Sequence, residues 1–330
     1  MTTRRDVIRA GLAAVGLGLC GACRSGSAAR VRRVGTLAGA PSNATIEAPL
    51  TAFRQSLTDL GYVEGRDVLF ETRFAAGDDH LDEPAADLAR LGLDVIVASS
   101  TAVAQALRRA TATTPIVSVS AGEDPVAGGL AASYARPGGT VTGLYVPRLI
   151  GKQLQLLHDA VPSVARPLVL LDATKPTSSL DGDRAQAEAA APALSLQPRF
   201  LSTRGLDGLE AGLAAAVRER ADALFVTSGP LITAHQDAVA QTAVRAGLPS
   251  MFALAESVAF GGLIGHGPVR ADMYRRAATY VDRILKGADP ADLPLEQPTR
   301  FYLGINLRTA GALGLTIPEP VLLQATEVVR

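Results

Sequence analysis

A chain of 330 residues is longer than one ordinary hydrophobic core and predicts two domains. Its 32 basic and 32 acidic residues give a formal charge of zero, which removes the electrostatic case for nucleic acid or an anionic membrane surface as a partner. Tryptophan is absent and aromatic residues make up 4% of the chain, so stacking platforms for bases are scarce.

The first 29 residues read as an export signal. Thr3-Arg4-Arg5-Asp6-Val7-Ile8-Arg9 is basic, Ala10 to Leu19 is a short apolar run, and Cys20-Gly21-Ala22-Cys23 follows. The apolar run is shorter than the ~20 residues a membrane span needs. The paired arginines resemble a twin-arginine signal. Two cleavage outcomes stay open: before Cys23, as in a lipoprotein with lipidation there, although Cys20 replaces the usual aliphatic residue; or after Ala29 of Ser27-Ala28-Ala29. Both cysteines of the chain lie here, so the folded part is expected to carry neither a disulfide nor a thiol nucleophile.

Arg33 to Leu37 predicts a first strand, followed by a turn at Gly39, Pro41, Ser42 and Asn43. Leu50, Phe53, Leu57 and Leu60 recur at helical spacing, and Gly61 closes that helix. A strand from Asp67 to Arg73, a turn at Gly77 and a helix from Leu81 to Leu91 come next. The stretch around which the rest is organised runs from Asp94 to Val126. Asp94-Val95-Ile96-Val97-Ala98 has no polar alternation, which suits a strand buried on both faces. Ser99-Ser100-Thr101 then stands where that strand turns into a helix running to Arg109. A further strand at Pro115 to Val119 leads to Gly122-Glu123-Asp124-Pro125-Val126.

The second half repeats this order. Arg166 to Leu171 is a strand, Ala185 to Leu194 a helix, Pro198 to Ser202 a strand and Leu206 to Arg218 a helix. Asp222-Ala223-Leu224-Phe225-Val226 echoes the Asp94 strand, with Thr227-Ser228-Gly229-Pro230 in place of the hydroxyl cluster, and Pro249 to Phe252 echoes Pro115 to Val117. Strands alternating with helices predict parallel sheets, and two such halves predict an α/β protein of two doubly wound lobes.

Three late pieces remain. Gly261 to Pro268 reads as a strand leaving into a turn; Met273, Ala277, Val281, Ile284 and Leu285 form one helical face closed by Gly287; and Phe301 to Ile305 reads as a last strand followed by helices around Thr309 to Leu313 and Pro318 to Val329. Crossings near Gly143 to Pro147, Gly265 to Pro268 and Pro290 to Pro298 would make a three-stranded hinge. The expected lobes are residues 30–143 with about 266–289, and 144–265 with about 298–330. Ligands of open α/β sheets bind beyond the carboxyl ends of the strands, so two facing lobes on a hinge enclose a cleft that can close on a small molecule.

Several longer motifs resemble the substrate-binding proteins of ABC transporters of the tryptophan/tyrosine type. They are Gly35-Thr36-Leu37; Phe53 to Leu57 with Leu60 to Arg66; Gly122 to Val126; Ala135 to Gly143; Tyr280 to Gly287; and Leu293-Pro294 with Gln297 to Thr299, Ile305 to Leu307 and Ala312 to Pro318. The resemblance implies a type I periplasmic binding protein fold and no catalysis. It also implies delivery of a solute to a membrane permease, from the periplasm or the outer face of the cytoplasmic membrane. Three positions depart from the family pattern. Tyr145-Val146-Pro147 replaces a small residue and Ser, Ser228-Gly229 replaces an acidic residue, and His266-Gly267 replaces a Tyr-Gly pair. They put an aromatic amino acid ligand in question and leave the architecture alone.

An amino acid needs N–H or O–H donors for its carboxylate and an acceptor for its ammonium. Ser99, Ser100 and Thr101 can supply donors at a helix N-terminus, or merely cap that helix. Asp124 is the expected ammonium acceptor, its alternative being a turn acid before proline. Ser228 faces the cleft by the internal echo, and Glu256 follows a strand that ends there. Tyr145 can stack on a ligand or pack the hinge, and His266 is expected to hydrogen-bond within the hinge. No nucleophile elbow, zinc-protease motif, phosphate loop or dinucleotide fingerprint occurs, and His80, His158, His235 and His266 lack metal-ligand spacing. The expected protein is a monomer without cofactor, whose partners are an amino acid-like small molecule and a permease. A receptor-coupled sensor, or an exported hydrolase or isomerase using Asp124 and His266, is the alternative.

Overall fold

Val95 and Val97 pack into one layer of apolar side chains while Ile96 and Ala98 pack into the opposite one, and all four are fully buried. Burial on both faces is what removes polar alternation from such a strand. The same rule builds two sheets within Arg32–Arg330, in a computed structural model that describes residues 30–121 and 124–330. Cys20, Cys23 and Ala29 of the expected export signal, and the Gly122-Glu123 pair, lie outside the described residues.

The first sheet is wound from β1 (Arg32–Ala38), α1 (Ala44–Asp59), β2 (Val68–Phe74), α2 (Asp82–Ala89), β3 (Val95–Ala98), α3 (Thr101–Ala110), β4 (Ile116–Ala121) and β5 (Val141–Val146). Its five strands are parallel, in the order β2-β1-β3-β4-β5. The chain then enters the second lobe through α4 (Ile150–Ala160). There follow β6 (Pro167–Asp172), α5 (Thr177–Ala190), β7 (Arg199–Thr203), α6 (Leu209–Arg218) and β8 (Ala223–Val226). After these come α7 (Pro230–Ala234), α8 (Gln236–Arg245), β9 (Ser250–Phe252) and β10 (Ile264–Gly267). A return to the first lobe supplies α9 (Arg270–Leu285), and the chain ends in the second with β11 (Tyr302–Asn306), α10 (Leu307–Ala312), α11 (Glu319–Leu322) and β12 (Glu327–Val329).

The second sheet has seven strands in the order β12-β11-β10-β9-β8-β6-β7; β10 and β11 pair antiparallel, so β11 and β12 run opposite to the other five. Without β11 and β12, the order β7-β6-β8-β9-β10 reproduces that of the first sheet. Each lobe is therefore doubly wound, with its strand order reversing between β1 and β3 in one and between β6 and β8 in the other.

The crossings follow from packing. α9 returns because Met273, Ala277, Val281, Ile284 and Leu285 bury against Val34, Phe53 and Leu57. The stretch from Leu293 to Glu296 runs beside β5: Tyr145 N donates to Glu296 O at 2.9 Å and Glu296 N to Gly143 O at 3.0 Å. Gly143 has φ +124°, and a side chain there would meet the carbonyl oxygen of Ser118 at 2.3 Å.

Two elements differ from the sequence expectation. The helix expected from Pro318 to Val329 stops at Leu322, and Val328 and Val329 pair with Ile305 and Asn306 as an edge strand. The β-branched Thr326, Val328 and Val329 suit a strand better than a helix. The helix expected from Ala185 begins instead at Thr177, directly after Pro176.

Candidate functional site

The two reversals of strand order face one another, and the loops at the carboxyl ends of β1, β3, β6, β8 and β9 enclose a cavity of about 160 Å³. The hinge closes its back with Arg148, Gln153, Arg270 and Tyr274. The wall is largely apolar, with Ala38, Ile46, Val119, Ile150, Leu254 and Met273 among its residues, and its polar groups gather at the strand ends and the hinge.

On the first-lobe side, β3 ends at Ser99-Ser100-Thr101. Ser100 has an extended backbone and its Oγ accepts from Val103 N at 3.2 Å, so it caps α3. Ser99 Oγ accepts from Gly39 N at 3.0 Å and ties the loop after β1 to the loop after β3. Thr101, the first residue of α3, is buried and its Oγ1 has no hydrogen-bond partner. All three line the cavity at the positive end of the α3 dipole. Asp78 adds a carboxylate to this wall.

On the second-lobe side, Asp183 accepts from Arg148 Nε at 2.9 Å and from Lys175 Nζ at 2.7 Å, so each of its oxygens meets a cation. One carboxylate thus ties both cations to this wall. Asp172, after β6, is fully buried and accepts from Thr174 N and Oγ1 through Oδ1 and from Leu231 N and Ile232 N through Oδ2. A side chain at Gly229 would meet Asp172 Oδ2 at 2.3 Å, which explains the glycine after Ser228. Ser228 is half-buried and lines the cavity.

At the hinge, Gln153 Nε2 donates to the carbonyl oxygen of His266 at 2.7 Å, while Gln153 Oε1 is buried with no partner. Tyr274 is buried on α9, and burial pushes its phenol up against the opposing pull of Arg270.

Ser99, Ser100, Thr101 and Ser228 thus come together, and four other expected residues do not line the cavity. Asp124 lies exposed in the loop after β4, where it accepts from Val126 N at 2.8 Å, Ala127 N at 3.2 Å and Tyr134 Oη at 2.6 Å. The Tyr134 hydroxyl and the two amides hold its carboxyl low, and the same bond pushes the Tyr134 phenol up to about 12. Its proline-linked turn has used the carboxylate as a local cap. Tyr145 is buried beside Ala131 and Leu295, stacked on Tyr134 at 4.9 Å, and its Oη accepts from Gln297 Nε2 at 2.6 Å.

Glu256 sits in the short helical turn Ala255–Phe260, with Oε2 buried and unpartnered; burial pushes its carboxyl up, and Arg270 opposes this. His266 carries its backbone carbonyl to Gln153, but its ring stacks on Phe301 at 6.3 Å and Nδ1 is unpartnered. Burial and the nearby Lys152 push the imidazole down.

Sequence reasoning missed Asp78, Arg148, Gln153, Lys175, Asp183 and Arg270. Lys175 had a signal, since it falls in the loop at the carboxyl end of β6. Gln153 had none, because it sits on the apolar face of α4 beside Ile150, Leu154 and Leu157. Among the described residues no group of three or more His, Cys, Asp or Glu side chains is arranged to hold a metal ion.

A family model described as ABC transporter substrate binding protein matches residues 42–329. The tyrosine-binding protein of Clostridioides difficile (strain R20291) is 26% identical over 264 residues, which are 80% of this chain and 75% of that protein. Among solved structures, the ABC domain in complex with L-Trp from Streptococcus pneumoniae is 23% identical with a TM-score of 0.81, over 91% of this chain and 100% of that one. A conserved domain protein from Vibrio cholerae is 24% identical with the same TM-score of 0.81 and the same coverage, 91% and 100%.

Proposed function

Because this chain belongs to the ABC transporter substrate binding protein family, we propose that it is exported, captures an amino acid or related small carboxylate between its lobes, and presents it to a membrane permease. The observation that carries this is the pair of buried polar atoms without partners, Thr101 Oγ1 and Gln153 Oε1, on residues lining one cavity. Buried polar groups in folded proteins are almost always satisfied, so two orphans in a cleft mark where a ligand's polar groups belong. Thr101 Oγ1 and the α3 N-terminus suit a carboxylate. The apolar lining takes the body of the molecule.

The tyrosine and L-Trp bound by the two named relatives support an amino acid-like ligand. Of the positions that depart from the family pattern, Tyr145, His266 and Gly267 stand away from the cavity lining, whereas Val146, Pro147, Ser228 and Gly229 are on it. Release by the basic and apolar N-terminal segment, with either cleavage before Cys23 or after Ala29, would put the protein in the periplasm or on the outer face of the cytoplasmic membrane. There it would act as a monomer. A thermal-shift screen against amino acids, other small carboxylates and sugars tests the ligand class, since a molecule that binds only the folded state raises the melting temperature by mass action. A shift with acids and none with sugars is expected. The reverse pattern would overturn the proposed class.

A further inference from the structure

Gln153 is 2% exposed and belongs to the first helix after the chain crosses into the second lobe. Its Nε2 donates to the His266 carbonyl at 2.7 Å, and a carbonyl oxygen accepts only from the nitrogen end of a carboxamide. The amide orientation is therefore set by a backbone group of the hinge, and Oε1 is left as a fixed acceptor. That oxygen is buried and has no partner. Only a donor can satisfy it.

The acids of the second-lobe wall cannot take over this role. Asp183 spends both oxygens on Arg148 and Lys175, and Asp172 spends both of its own on Thr174 and on the backbone of Leu231 and Ile232. Asp124 is closed into its own turn.

Building on the solute-binding reading above, we propose that Gln153 is a specificity-determining residue. The cleft takes a small acid that carries a hydrogen-bond donor, ammonium or hydroxyl, beside its carboxylate. It rejects the 2-oxo acid of the same skeleton, whose ketone oxygen would meet Oε1 acceptor to acceptor. Thr101 Oγ1 donates to the carboxylate of the accepted ligand, so the two orphaned atoms read opposite ends of one polar group.

The test is calorimetry of the purified protein with two matched sets: phenylalanine, 3-phenyllactate and 3-phenylpyruvate; and leucine, 2-hydroxy-4-methylpentanoate and 4-methyl-2-oxopentanoate. In the set whose skeleton fits, the amino or hydroxy acid should bind at least ~10-fold more tightly than the oxo acid, because a site built to receive a donor rejects the analogue lacking it. Gln153→Leu should bring that ratio to within about threefold, any loss common to all ligands reporting the lost bond to the His266 carbonyl. Gln153→Glu keeps an acceptor and adds charge but gives up the donor to the His266 carbonyl, so it is read by its ratio: ammonium should gain over hydroxyl by about tenfold. Melting curves of both variants establish that they are folded.

Equal binding of oxo and donor acids by the unmodified protein overturns the proposal. So does an unchanged ratio of donor to oxo acids in folded Gln153→Leu, which would make Gln153 a support for the His266 crossing only. If none of the six acids binds and a sugar does, the proposal falls while the solute-binding reading stands. If no solute of the wider screen binds, both fall.

Discussion

Arg204 of the second lobe reaches Asp79 of the first, Nη1 to Oδ2, at 2.7 Å. Close to it in kind, Asn43 Nδ2 donates to the carbonyl oxygen of Ala234 at 3.0 Å, again from lobe to lobe. Neither pair lines the cavity, so both tie lobe to lobe without reaching into it. Burial raises the Asp79 carboxyl, but hydrogen bonds from His80 and Arg204 outweigh this and hold it low. The Arg204 side chain is 69% exposed and that of Asp79 38%, which places the pair among weak, salt-screened surface bridges.

Arg204→Ala should therefore weaken ligand binding by less than about 1 kcal/mol, acting through faster release. The loss should shrink in concentrated salt. Stopped-flow release rates at low and high ionic strength check this; a larger loss that ignores salt would mean that Arg204 has a second role.

Thr101→Val keeps the shape of the side chain and removes the orphaned hydroxyl. Affinity for the acid ligand should fall by about 1.5–3 kcal/mol, the range for a hydrogen bond to a charged group, with the melting temperature of the free protein little changed. Calorimetry separates this from the cap: if Thr101→Val binds as well as the unmodified protein, Ser99 and Ser100 hold the carboxylate alone.

Asp124→Ala should leave the dissociation constant unchanged and lower stability by about 1 kcal/mol, because the carboxylate serves Val126, Ala127 and Tyr134 in its own loop. Denaturant melts and calorimetry on one preparation decide it. A tenfold loss of affinity would return Asp124 to the ligand.

Glu256 gives a pH dependence whose sign is fixed by its environment. Burial raises its carboxyl above the usual range, so between the unfolded and folded values the native state holds more protons than the unfolded chain. Stability contributed by the protonated form is present at low pH and lost as pH rises through that interval. Glu256→Gln should melt about 2 °C higher than the unmodified protein near pH 7, with the gain vanishing below about pH 4. A constant difference across that range would show that ionisation is not the cause.

Much of the architecture was legible because buried strands announce themselves. Val95–Ala98 and Ala223–Val226 are apolar without interruption since each is covered on both faces, and their repetition at similar spacing gave the two lobes. The closing strand β12 was not legible because it is three residues long and follows the helix start at Pro318, Glu319 and Val321, so its valines read as a continuation of that helix. The site was half legible. Ser99, Ser100, Thr101 and Ser228 follow from the rule that ligands sit beyond strand ends, and the rule also led to Asp124, which stands at a strand end but folds back on its own loop. Gln153, Arg148 and Asp183 come from helices and a crossing, and only the three-dimensional fold brings them to one wall.

A crystal structure of the protein with the acid that gives the largest thermal shift tests the central claim most directly. The carboxylate is expected within hydrogen-bond distance of Thr101 Oγ1, with Gln153 Oε1 accepting from the ligand and the apolar body against Ile46, Leu254 and Met273. Density for the acid outside this cavity, for instance in the hinge recess beside Arg276 and Glu296, would contradict it.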